Sequence, residues 1–145
     1  MKRERRLQPL HDLAGYSERD LAVRLAGIEQ RLLAAEQRHE ELLRYRLEYD
    51  QAFHASASGG APMRGLREQQ VFIARLGEAV RAQQALLEQL RLDSVSARAQ
   101  WRAAATRRQV VGKVIAQARS EESMRQEKRQ QREMDELANQ PRVRR

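Results

Sequence analysis

Apolar residues recur at alternating steps of four and three along two long stretches of this chain, and no other feature constrains its fold as strongly. From Leu21 the series runs through Leu25, Ile28, Leu32, Ala35, His39, Leu42, Arg46, Tyr49 and Phe53, with eight of the ten positions apolar. A second series runs through Ile73, Leu76, Val80, Gln83, Leu87, Leu90, Ser94, Ala97, Trp101, Ala104, Arg108, Val111, Ile115 and Ala118, with eleven of fourteen apolar. A period of 3.5 residues keeps one stripe of a helix turned towards a partner helix, which is the pattern of a coiled coil. Proline agrees with this reading: it stands only at positions 9, 62 and 141, and its absence elsewhere removes the residue that breaks helices.

Between the two series lies Ala55-Ser56-Ala57-Ser58-Gly59-Gly60-Ala61-Pro62, a cluster of small residues, a Gly pair and a Pro that reads as a connector. The expected fold is all-α, an antiparallel coiled-coil hairpin with an overhanging C-terminal helix. Its parts are a first helix over 1–54, a tip loop over 55–65, a second helix over 66–118, and a polar overhang over 119–145 that is partly disordered at its end. Pairing Tyr49 with Ile73 sets a register in which facing seam residues have numbers summing to 122. That register stacks Leu32 on Leu90, Leu25 on Ala97 and Leu21 on Trp101, and brings Leu7 near Ile115. It also sets His39 opposite Gln83, a paired polar layer that penalises slipped registers; this is preferred to metal binding for His39. Residues 116–145 are left without a partner from the amino end, and Pro141 closes that overhang. If continuous, residues 66–138 span on the order of 110 Å at 1.5 Å per residue.

Composition sharpens these limits. Of the 145 residues, 33% are charged and only 4% aromatic, so the apolar residues form a seam rather than a globular core. The lack of Cys excludes a disulfide scaffold and a Cys-ligated zinc site, and no metal or cofactor is expected. No run of 18 apolar residues offers a membrane span, and Met1 to Leu13 lacks the apolar region of a secretory signal, so a cytoplasmic location is expected. Catalysis finds no support. The His residues at 11, 39 and 54 have no HExxH spacing, there is no GxSxG, and Gly112-Lys113 lacks the rest of a phosphate loop.

The net charge of +8 permits an anionic partner without choosing one. Interspersed acids argue for a solvated coiled-coil surface rather than a nucleic-acid track. Only Lys2-Arg3-Glu4-Arg5-Arg6 and Arg142-Val143-Arg144-Arg145 are clearly basic. A basic coiled-coil nucleic-acid binder remains the rival from another class, and homodimerisation a third reading.

The aromatic residues concentrate near the tip. Leu42, Tyr45 and Tyr49 stand at i, i+3 and i+7 on the first helix, and Phe72, Leu76 and Ala79 at i, i+4 and i+7 on the second. Tyr45 and Phe72 fall one step off the seam, where a two-helix structure has no third layer to cover them, so a protein-binding patch is favoured over a widened core. Trp101 lies in the seam and reads as a structural anchor.

Several segments carry a family likeness. Arg6-Leu7-Gln8-Pro9-Leu10-His11-Asp12-Leu13-Ala14, the stretches Tyr45 to Phe53 and Phe72 to Val80, and Glu127-Lys128-Arg129-Gln130-Gln131-Arg132-Glu133-Met134-Asp135-Glu136-Leu137-Ala138 together resemble the flagellar export protein FliJ family over nearly the whole chain. The resemblance implies a non-enzymatic component of the bacterial flagellar type III export apparatus, an antiparallel coiled coil similar to the central stalk of rotary ATPases. It implies three partners: the hexameric export ATPase, the cytoplasmic domain of the export-gate membrane protein, and export chaperones. Membrane association would come only through those partners, at the inner face of the cell membrane at the flagellar base. The family's gate contact matches Leu42, Tyr45, Tyr49, Phe72, Leu76 and Ala79; where relatives place a further polar residue, Gln83 is expected to serve the seam. By the stalk analogy the ATPase ring takes the end remote from the tip, with Arg119, Arg125, Arg129 and Arg132 as its candidate contacts. The stalk protein of a virulence type III secretion system is the alternative within the same structural class.

Overall fold

The computed structural model describes residues 2–141 and is all-α: α1 (Lys2–Ser58) and α2 (Met63–Asn139) pack against each other as a helical hairpin. The basic segment Arg142 to Arg145 and the expected disorder at the end of the chain lie outside the described residues.

The seam is where the heptads put it. Among the described residues, all ten buried hydrophobic side chains belong to the two apolar series: Ile28, Ala35 and Leu42 on α1, and Val80, Leu87, Leu90, Ala97, Ala104, Ile115 and Ala118 on α2. The chain divides into two compact units, one formed by Ala22–Gln100 and the other by Met1–Leu21 with Trp101–Arg145. In the first, Ala35, Leu87 and Leu90 form a buried cluster with Leu32 against it, so both facing pairs sum to 122. Arg98 Nη2 reaches across to Glu29 Oε1 at 2.8 Å in the same unit. In the second unit Ala104, Ile115 and Ala118 are buried and Leu21 and Trp101 half-buried. Ion pairs cross between its helix segments: Glu18 with Arg108 at 2.8 Å, Glu4 with Arg119, and Arg3 with Glu121 at 3.6 Å.

The polar layer differs from its expected form. Gln83 serves the seam, but Nε2 donates to the backbone carbonyl of Ala35 at 2.9 Å rather than to His39. A helix carbonyl has a second lone pair free beside its intrahelical bond, and the long Gln side chain finds it one turn away. His39 Nε2 is buried without a hydrogen-bond partner.

The tip is shorter than the expected 55–65. α1 continues to Ser58 and α2 begins at Met63, leaving four residues, 59–62. The stop is a Schellman turn: Gly60 takes φ +76°, Ala61 N–H donates to Ser56 O at 3.1 Å, and Gly60 N–H to Ala57 O at 3.4 Å. Glycine has no Cβ to clash in that left-handed region, so the last carbonyls of α1 are satisfied at little cost. The Pro62 carbonyl then accepts from Leu66 N–H at 3.2 Å and opens α2.

At the other end α1 runs through Pro9 to Lys2. An internal proline removes one backbone donor and costs about 3 kcal/mol, but Arg3 and Glu4 beyond it are engaged by Glu121 and Arg119. Those contacts correct the expectation that everything from 116 onward lacks an amino-end partner: pairing persists to Glu121. Every residue from Ser123 to Pro141 is exposed, and α2 stays helical to Asn139.

Candidate functional site

The aromatic cluster forms within the unit Ala22–Gln100. The Tyr49 and Phe72 rings lie with centroids 4.6 Å apart and planes tilted by 59°, a geometry favoured by aromatic quadrupoles. Tyr45, Tyr49 and Phe72 are 45%, 43% and 42% exposed. The six candidate residues divide by environment. Leu42 is buried in the seam, Leu76 and Ala79 are half-buried, and the three aromatics carry the accessible surface. Tyr49 stands at a seam position yet remains open to solvent, as does Arg46 at the position before it.

Sequence reasoning missed the apolar surroundings of this patch. Val71 is exposed beside Phe72, and with Arg67, Glu68 and Arg75 these two line a hollow of about 390 Å³. The signal was present, since Val71 adjoins Phe72 in sequence, but the heptad count assigns such off-seam positions to solvent without weighing their apolar area.

The four arginines proposed for the remote end occupy different environments. Arg119 pairs with Glu4; Arg125 lies 3.9 Å from Glu121 and 3.7 Å from Glu122, and Arg129 3.6 Å from Glu122. Arg132 is exposed on the segment without seam contacts. Three of the four are therefore partly neutralised within the chain. A hollow of about 510 Å³ in this unit is lined by Lys2, Arg3, Arg6 and Arg125 but also by Glu4, Glu121 and Glu122; its charges are mixed. No helix among the described residues is long and apolar enough to cross a membrane.

Two long helices closed along one heptad seam, with aromatic rings exposed beside the turn, define a coiled-coil hairpin whose distinctive surfaces face outward. The model of the flagellar FliJ protein family matches residues 1–145, and the chain belongs to that family. It is accordingly a flagellar, type III export-related protein, in a family of non-catalytic export components. No curated protein and no solved structure matches the chain.

Proposed function

We propose that this protein is a cytoplasmic stalk of the flagellar export apparatus, linking the hexameric export ATPase to the cytoplasmic domain of the export gate and escorting export chaperones. The observation that carries the reading is the joint exposure of Tyr45, Tyr49 and Phe72 on one surface. Large aromatics left in water beside a well-formed seam are the residues that most often dominate a protein interface, and their positions match the family's gate contact.

The other end of the reading rests on the exposed helix beyond Glu122, which offers a ring a helical surface with no intrachain seam. Arg119, Arg125, Arg129 and Arg132 are the proposed contacts there. Since Arg119, Arg125 and Arg129 already hold carboxylates, their contribution is exchange of one ion pair for another, worth little net affinity. Hydrolysis belongs to the ring, and this chain transmits it by fitting the ring at one end and biasing the gate at the other. Tyr45→Ala combined with Phe72→Ala should abolish gate binding and motility while leaving helix content intact. Unchanged gate binding in that double variant would remove the patch from the account. Truncation after Ala118 should weaken ATPase association; full stimulation of the ATPase by the truncated chain would remove the remote end.

A further inference from the structure

The +8 charge of the chain is concentrated. Residues 101–120 hold Arg102, Arg107, Arg108, Lys113 and Arg119 and no Asp or Glu. Two of these cations are used inside the hairpin, Arg108 by Glu18 and Arg119 by Glu4. Arg102, Arg107 and Lys113 are exposed, and no ion pair to another described residue engages them.

Their placement on α2 is specific. Ala103, Thr106 and Val110 follow one another at steps of three and four, each two residues beyond a seam position, Trp101, Ala104 and Arg108. Two residues turn a helix through about 200°, so these three lie opposite the seam. All three are exposed, Val110 by 54%. Arg102 and Lys113 fall on one flank of that stripe and Arg107 on the other. The outer face thus repeats the layout of a coiled-coil half, with small and apolar side chains in the middle and charges at the edges, but every edge charge has the same sign.

We infer that Arg102, Arg107 and Lys113, with Ala103, Thr106 and Val110 between them, form a docking face for an acidic amphipathic helix of a partner protein. Small side chains let a second helix approach to the 8–10 Å of ordinary helix packing, and the flanking cations select carboxylates at the edges of the incoming helix, as edge charges do in coiled-coil pairing. A nucleic-acid track fits less well, because an apolar centre contributes nothing to phosphate binding and Glu121 and Glu122 follow immediately. This face is separate from the aromatic patch and from the four arginines of the proposed ring contact.

The test uses the full chain and a labelled synthetic four-heptad helix with Leu at both core positions and Glu on both flanks, read by fluorescence anisotropy. R102E/R107E/K113E should weaken binding by about tenfold or more, since reversing three rim charges turns attraction into repulsion. R125E/R129E should change it by less than about twofold, since both charges are already compensated in the chain and lie off this face. Val110→Arg separates the alternatives: it adds positive charge but fills the apolar centre, so helix docking weakens while plain electrostatic attraction strengthens. Circular dichroism of each variant, and R102Q/R107Q/K113Q as a milder replacement, guard against loss of fold. Unchanged binding in the charge-reversal variant, tighter binding by Val110→Arg, or displacement of the peptide by short duplex DNA would each overturn the inference.

Discussion

Replacing Leu87 by Ala removes a side chain that is 4% exposed and packs in the cluster of Ala35, Leu90 and Leu32. Burial of a leucine contributes about 1.5–3 kcal/mol, and truncation adds the cost of whatever cavity the surroundings fail to close. The residue facing Leu87 in register is Ala35, whose single methyl cannot move into the space, so collapse falls to Leu32 and Leu90. The expected loss is about 3 kcal/mol, within the range measured for buried leucines. Leu92 lies only two positions from Leu90 but is 66% exposed, and Leu92→Ala should cost less than about 0.5 kcal/mol. The pair differs in one respect, the side of α2 it occupies, and at 1.4 kcal/mol per decade the difference is close to a hundredfold in the unfolding equilibrium. Urea denaturation followed by circular dichroism, with slopes compared as well as midpoints, measures both. Indistinguishable midpoints would refute the seam assignment, because no two-helix packing in this register can treat the two leucines alike.

Other outcomes follow from particular residues. Gly60→Ala should destabilise by about 1–2 kcal/mol because φ +76° is strained for any residue with a Cβ, whereas Gly77→Ala, in mid-helix with nothing within 4 Å of the added carbon, should stabilise by up to about 1 kcal/mol; thermal melts give both signs. Gln83→Ala should cost about 1 kcal/mol for the lost bond to Ala35 O, and a double-mutant cycle with His39→Ala should show coupling below about 0.5 kcal/mol; coupling well above that would restore the direct His39–Gln83 pair. Arg98→Gln should cost less than about 1 kcal/mol, since both side chains of its pair with Glu29 are about half exposed, and the cost should shrink in unfolding measurements at high salt.

The parts of the fold that were legible in the sequence are those written in local spacing. A heptad stripe fixes which face of a helix is buried whatever lies opposite, so Val80, Leu87, Ala104 and Ile115 could be named as core by counting. The connector was visible in Gly59-Gly60 and Pro62, but its ends were not. Ala55 to Ser58 are small residues that suit either helix or loop, and the choice falls to Gly60, whose left-handed backbone lets the Schellman bonds form just beyond Ser58. Pro9 does not interrupt α1, as the expected helix over 1–54 requires; what local spacing could not show is that the ion pairs of Arg3 and Glu4 at the first turn come from residues more than a hundred positions away. Gln83 shows the same limit: position predicted its role in the seam, but only packing could select the Ala35 carbonyl over His39.

The candidate surfaces divide along the same line. Exposure of Tyr45 and Phe72 followed from their offset by one residue from the heptad. The tilted ring contact of Tyr49 with Phe72, and the solvent exposure that a seam position does not predict, arise from geometry near the turn. The overhang arginines looked available because sequence separates them from the acids of α1; Arg119 in fact meets Glu4, while Arg125 and Arg129 are served by Glu121 and Glu122 on their own helix. Cations free of such partners, Arg102, Arg107 and Lys113, were hidden among the charges of an ordinary coiled-coil surface until the cross-helix pairs were assigned.

The proposed stalk engages two export components through separate surfaces. Calorimetric titration of the full-length protein, Tyr45→Ala/Phe72→Ala and the chain truncated after Ala118 against the purified gate domain and, in parallel, the export ATPase tests it most directly. The aromatic variant should lose the gate and keep the ATPase, and the truncated chain should do the reverse. Loss of both partners in either variant, with helix content preserved, would contradict it.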